Sequence, residues 1–252
     1  MKRASLVSAL ILSLMSSASV QAAEYVESFD GPLTSIMLNG AVTTGTNGAW
    51  TTDVRDGALV LSNPEAASAL RYVAVENVVY PGSTAPVSTN NATIEATVRT
   101  KGEERAGAGV LAGLDPRTGN YVFFAVSGGG AYFASRKDQN RVKIIAAGTS
   151  AAIKPGAANK VSASTRGRTL VFSVNGTEVL QVPEAGPAEQ AGRSYPPQGQ
   201  RLVGLAAFGR GTFWFEEARI APPFSNGLAG PQPAAPVIEE RRPNSTPTDK
   251  VE

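Results

Sequence analysis

Neither cysteine nor histidine occurs anywhere in the 252 residues. Without cysteine there are no disulfides, no thiolate metal sites, no cysteine nucleophile and no lipid anchor on a cysteine. A chain exported without disulfides must rely on its core. Without histidine the commonest general base and metal ligand are missing, and every Ser-His or Cys-His arrangement is excluded. Long apolar runs are also missing. The longest, Leu6 to Leu14, is shorter than the roughly 20 residues a membrane-spanning helix needs. It follows Lys2 and Arg3 and precedes Ser19-Val20-Gln21-Ala22, a small-x-small pattern. Residues 1–23 therefore read as a signal peptide, which puts the mature chain in the periplasm or outside the cell. Excess charge of either sign is lacking too. Of the 23 basic side chains, Lys2 and Arg3 lie in the leader, and the remaining 21 balance 21 acidic ones. Such a surface offers no electrostatic grip on nucleic acid.

What is present is β structure. Residues 159–183 read NKVSASTRGRTLVFSVNGTEVLQVP. Two alternating runs flank Arg166-Gly167-Arg168, and Asn175-Gly176 turns the chain into a third. Asn-Gly between two such runs is a strong hairpin signal, because both central residues of a type I′ turn need φ > 0. The same kind of punctuation recurs through the chain. Strands are expected at 24–29, 58–61, 70–75, 92–99, 107–114, 121–126, 131–136, 142–147, 201–208 and 212–220. Asp56-Gly57, Ser127 to Gly130 and Gly209-Arg210-Gly211 are turns, and residues 77–90 and 183–200 are irregular connections. No amphipathic helix of more than two turns is evident. After residue 221 the composition changes to PQPAAPVIEERRPNSTPTDK, and residues 222–252 read as a disordered Pro-rich tail. Many short strands at regular spacing mean an all-β sandwich or barrel, here a single domain over 24–221.

The order of "SFDG", "DGALVL", "ATIEATVRT", "GNYVFFAV", "NKVSASTRGRTLVFSVNGTEVL" and "VGLAAFGRGTFWFEEARI" resembles the concanavalin A-like jelly-roll family. Its nearest branches are the laminin-G-like domains and the secreted bacterial domains of unknown function. The resemblance implies a two-sheet antiparallel β-sandwich whose last strand pairs near the first. It does not imply one function, since lectins, glycan-binding modules, glycosidases and adhesion domains share the fold.

Candidate chemistry follows. A retaining glycosidase needs two carboxyl groups about 5–5.5 Å apart. Glu216 and Glu217 are adjacent, so strand alternation sends them to opposite faces, and Glu95 stands alone on its strand. Oxygen ligands for a structural calcium are available at Asp30, Asp115 and Asn120, with Asp138 and Asn140 as further donors. With a four-residue loop from Ser127 to Gly130, Val126 faces Ala131. Tyr121, Phe123, Tyr132 and Arg136 then share the face away from the core, where aromatic rings can stack on sugars. Trp214, between Phe213 and Phe215, points away from those two and is a second platform candidate. The competing reading for both Trp50 and Trp214 is the core. Together these features point to a non-catalytic module that binds a carbohydrate or cell-envelope polymer. A structural or protein-interaction domain is the alternative, and a glycan hydrolase comes third.

Overall fold

A computed structural model describes residues 24–30, 45–65, 69–75, 77–78, 87–88, 91–138, 141–184 and 201–221. The expected leader (1–23) and tail (222–252) lie outside the described residues. So do Asn140, most of 77–90 and most of 183–200.

The described residues form two antiparallel sheets. The strands are β1 (Tyr25–Glu27), β2 (Gly45–Asn47), β3 (Trp50–Arg55), β4 (Ala58–Asn63), β5 (Leu70–Val75), β6 (Asn77–Val78), β7 (Val87–Ser88), β8 (Thr93–Gly102) and β9 (Gly107–Asp115). They continue as β10 (Asn120–Ser127), β11 (Ala131–Asp138), β12 (Arg141–Thr149), β13 (Asn159–Arg166), β14 (Thr169–Val174), β15 (Thr177–Pro183), β16 (Leu202–Phe208) and β17 (Gly211–Ala221). One sheet has nine strands, ordered β15-β14-β13-β8-β17-β4-β3-β2 with β1 also on β17; the other has six, ordered β12-β11-β10-β9-β16-β5. β6 and β7 form a small separate ribbon. This is the two-sheet jelly-roll sandwich, and the last strand does pair with the first, Tyr25 opposite Ile220.

Local chemistry explains the hairpins. Asn175 and Gly176 have φ of 50° and 80°, and Val174 pairs with Thr177 across them. That is the two-residue loop whose twist suits flanking strands. Asp56 (φ 53°) and Gly57 (φ 68°) repeat it between Arg55 and Ala58. Asn175 also works beyond its turn. Its side-chain amide donates to the carbonyls of Ala152 (2.7 Å) and Asn159 Oδ1 (2.9 Å). Its Oδ1 accepts from the Lys160 N–H at 2.9 Å. Buried Asn159 in turn holds Lys154 and Ala157. The meander is thus bolted to the loop that precedes it.

Between the sheets, alternate residues of facing strands fill one core. Ile94, Ala96 and Val98 of β8 and Phe213 and Phe215 of β17 meet Val110, Phe124, Val126 and Leu205 of the other sheet. Phe124 stacks on Phe172 across the gap, centroids 5.0 Å apart at 16°. Trp50 belongs to this core, with its ring 5.9 Å from that of Phe213.

The β10–β11 register differs from the sequence expectation. Val126 pairs with Tyr132, not Ala131. Ser127 remains in the strand, where its Oγ accepts from the Ala131 N–H at 3.2 Å and its carbonyl accepts from the Gly130 N–H. Gly130, at φ 92°, completes the reversal. A loop one residue shorter exchanges the faces of β11 relative to β10. Tyr132 and Arg136 therefore turn toward the space between the sheets, alongside Val122 and Phe124. Phe133 takes the outer face with Tyr121 and Phe123. The four candidates do not share a face.

Candidate functional site

The outer face of the six-stranded sheet carries Tyr121 and Phe123, two of the aromatic candidates. Its rows are set by register. Tyr72, Ala206, Gly109, Ala125 and Phe133 lie side by side across five strands. Small residues in the middle let aromatic rings lie over them. A Cβ on Gly107 would stand 2.7 Å from Cε1 of Phe133, which sits two strands away. Phe133 continues to Phe208 (5.9 Å) and Phe123 (5.7 Å). Tyr121 reaches Tyr72, centroids 6.0 Å apart. This face carries a second apolar cluster built on Leu111, Leu114, Tyr121, Phe123 and Leu202. Phe123 is 0% exposed and Tyr121 6%, so neither offers a surface to a ligand. Burial, with the nearby Tyr72 hydroxyl, pushes the Tyr121 phenol up to about 12. At the end of β10 and β11 a depression of about 20 Å³ opens between Asn120, Tyr121, Arg136, Glu184 and Arg201. That is room for about one water, far less than a sugar ring. The Glu184–Arg201 pair (3.7 Å) lines it, and Arg136 donates to the Pro183 carbonyl.

The outer face of the nine-stranded sheet has a different character. Trp214 lies on it, half-buried, while Phe213 and Phe215 are buried on the core side, as the FWF alternation implies. Its cross-strand neighbours are Val60 on β4 and Arg99 on β8. The Arg99 guanidinium stands over the indole, 4.6 Å from its centroid, and pairs with Glu216 at 3.2 Å. One pair further along β17, the Thr212 and Ser62 hydroxyls are 3.3 Å apart.

Here a second expectation is corrected. Glu216 and Glu217 share the outer face. The register of β17 shifts between Phe215 and Glu217, which inserts one extra residue, a β-bulge. Phe215 and Ala218 are both fully buried, so the two glutamates between them both turn outward. Each has a cation. Arg219 donates to Glu217 at 2.7 Å and also lies 3.4 Å from Glu24. The bond from Arg219 holds the Glu217 carboxyl below the usual range, and burial opposes it only in part. Beside them Lys160 pairs with Glu95 at 3.3 Å. The face is a lattice of opposite charges around one indole.

The oxygen ligands named for calcium do not converge. Asp30 Oδ1 lies over Gly57, where an added Cβ would meet it at 2.8 Å, at the tip of the β3–β4 hairpin. Asp115 and Asn120 belong to the β9–β10 turn of the other sheet. There Asp115 Oδ1 accepts from the Arg117 N–H (2.8 Å), and its carbonyl accepts from the Gly119 N–H. Burial works against its ionised form, but the Arg117 N–H bond, the Arg117 charge and hydrogen bonds from Thr118 outweigh that and lower its pKa. Among the described residues no group of three or more acidic side chains is placed to hold a metal, and no helix is long and apolar enough to cross a membrane.

Of the aromatic sequence candidates, Trp214 is partly exposed on the outer face of the nine-stranded sheet, with the Arg99 guanidinium over its ring. Arg99, Glu216 and Glu217 were missed as its neighbours. The pairing of β8 with β17 spans more than a hundred residues and leaves no local mark. The bulge did leave one. Trp214 and the last residue aside, apolar residues in β17 fall at 213, 215, 218 and 220, and the step of three breaks the alternation.

No family model matches the chain, and no curated protein does. Solved structures do. The chain superposes on a GlcNAcα1-4Gal-releasing endo-β-galactosidase from Clostridium perfringens with a TM-score of 0.54 and 10% identity, covering 81% of this chain and 64% of that one. The laminarinase catalytic domain from Thermotoga maritima MSB8 gives a TM-score of 0.50 and 12% identity, covering 80% and 98%. A looser match, TM-score 0.39 at 14% identity over 69% and 92%, is the carbohydrate-binding module CBM66 from Bacillus subtilis. At such identities the first two likenesses establish the fold, a two-sheet concanavalin A-like jelly roll, and no more.

Proposed function

We propose that the protein is an exported, non-catalytic module that binds a carbohydrate or another polymer of the cell envelope on the outer face of its nine-stranded sheet. The observation that carries this reading is Trp214. It is a half-buried indole on the outer sheet face, between Val60 and Arg99, with the Arg99 guanidinium over its ring and flanked by the Arg99–Glu216 pair and the Ser62–Thr212 hydroxyls. An apolar ring face beside fixed donors and acceptors suits a sugar ring and its hydroxyls. Two of the superposed structures, an endo-β-galactosidase and a laminarinase catalytic domain, are named for acting on glycans, which is an analogy of fold only.

Binding is preferred to hydrolysis on electrostatic grounds. A glycosidase needs one carboxylic acid with a raised pKa beside a carboxylate. Glu216 and Glu217 share a face, but each is bridged to an arginine, and Glu217 is biased toward its ionised form. That bias opposes a proton-donor role for Glu217.

The test is a glycan array with the mature chain, run with calcium and with a chelator, because the Asp115–Asn120 turn offers oxygen ligands. Reducing-end release is measured on every glycan bound. Binding without release is expected. Absence of binding in both conditions sinks the proposal, and release of reducing ends transfers it to a hydrolase.

A further inference from the structure

Among the described residues, β12 ends the six-stranded sheet and pairs only with β11. Along its other side, alternate backbone N–H and C=O groups meet no described strand, which makes an edge strand a template for another chain. Several features make this edge unusual. Val142 and Ile144 are 58% and 62% exposed, and both lie on the outer side of the sheet, opposite Lys137 and Ser135. Arg141 and Lys143 alternate with them on the other side and are exposed as well. Lys143 stands directly opposite Arg136 on β11, a like-charge pair that a sheet disfavours. Asp138, opposite Arg141, is the one acidic residue in β11 and β12, against four basic ones. Beyond Ile144 the register shifts, leaving Ile145 as an extra residue between two ladder positions. The bulge splits this edge into two regular stretches, Arg141–Ile144 and Ala146–Thr149, and the first carries the exposed Val142 and Ile144.

We infer that Arg141–Ile144 receives an extended segment of a partner protein in which apolar and acidic residues alternate. In that register the partner's apolar side chains lie over Val142 and Ile144, and its carboxylates meet Arg141 and Lys143. The anion beside Lys143 offsets the repulsion from Arg136. The same charges select against a second copy. Antiparallel self-pairing over four residues puts two arginines and two lysines in one short patch.

This docking edge is separate from the Trp214 face and does not depend on glycan binding. Its test uses two blocked nine-residue peptides, one alternating valine and glutamate, the other valine and lysine. Binding to the full mature chain is followed by fluorescence anisotropy, and backbone amides by hydrogen exchange. The acidic peptide is expected to bind at least tenfold more tightly than the basic one, to weaken with added salt and to slow exchange in β12. The double variant R141E/K143E, at two exposed positions, is expected to reverse the preference. Equal binding of both peptides, protection elsewhere than β12, or a concentration-dependent dimer that protects β12 would each overturn the inference. The exchange measurement on the unmodified chain decides the matter even if the double variant folds poorly.

Discussion

Asn175 shows how much one side chain does here. It combines a positive φ and one accepted bond with two donated bonds that only an amide can supply. Asn175→Asp keeps the shape but points carboxylate oxygens at the Ala152 carbonyl and at Asn159 Oδ1, both acceptors. Losing buried donors in this way costs about 1–3 kcal/mol. Urea unfolding of the variant is expected to show a lower midpoint with an unchanged slope. Glu217 sets a second expectation, this time in pH. Its folded-state pKa is depressed by the bond from Arg219, so the stability it contributes is complete above its unfolded value of about 4.3 and drains away as pH falls below that. Asp115, also depressed, acts in the same direction. Thermal unfolding followed from pH 7 to pH 3 should show this loss, and Glu217→Gln should flatten the curve. An unchanged profile in the variant would show that the Arg219 bond contributes nothing.

At the scale of elements, the glycines of β9 decide how the sheet is built. A Cβ on Gly109 would stand 2.1 Å from the Phe124 carbonyl oxygen, backbone that cannot move aside. Gly109→Ala should therefore cost about 1–3 kcal/mol or more, as overpacking does, and calorimetry should show it as a lower Tm. Element order and strand positions were legible in the sequence because Asn175-Gly176, Asp56-Gly57 and the alternation in β8 act locally. The register of β10 on β11 was not. It turns on whether Ser127 ends a strand or begins a loop, and its hydroxyl bond to Ala131 settles that only in the folded hairpin. One residue of difference moved Tyr132 and Arg136 off the expected face. β3 was missed as a strand, since Trp50–Arg55 alternates buried and polar residues only briefly before its turn. Of the candidate site, Trp214 was readable from its two phenylalanine neighbours, while its charged setting comes from strand pairing at long range.

For the whole molecule, two sheets give two outer faces with different uses. The six-stranded sheet covers its centre with its own rings, Phe123, Phe133, Phe208 and the Tyr72–Tyr121 pair. The nine-stranded sheet presents paired charges and one indole. The described strands end at Ala221, and a chain truncated there is expected to keep a single cooperative unfolding transition. Loss of cooperativity would show that residues after 221 belong to the core. The central claim is that the Trp214 face is where the protein meets its ligand, and Trp214→Ala tests it most directly. The glycan that binds the intact chain best on the array is titrated against both proteins by calorimetry. The account predicts at least a tenfold weaker association, about 1.4 kcal/mol, with the melting transition kept, because the indole is not part of the core between the sheets. Equal affinity in the two proteins would contradict it.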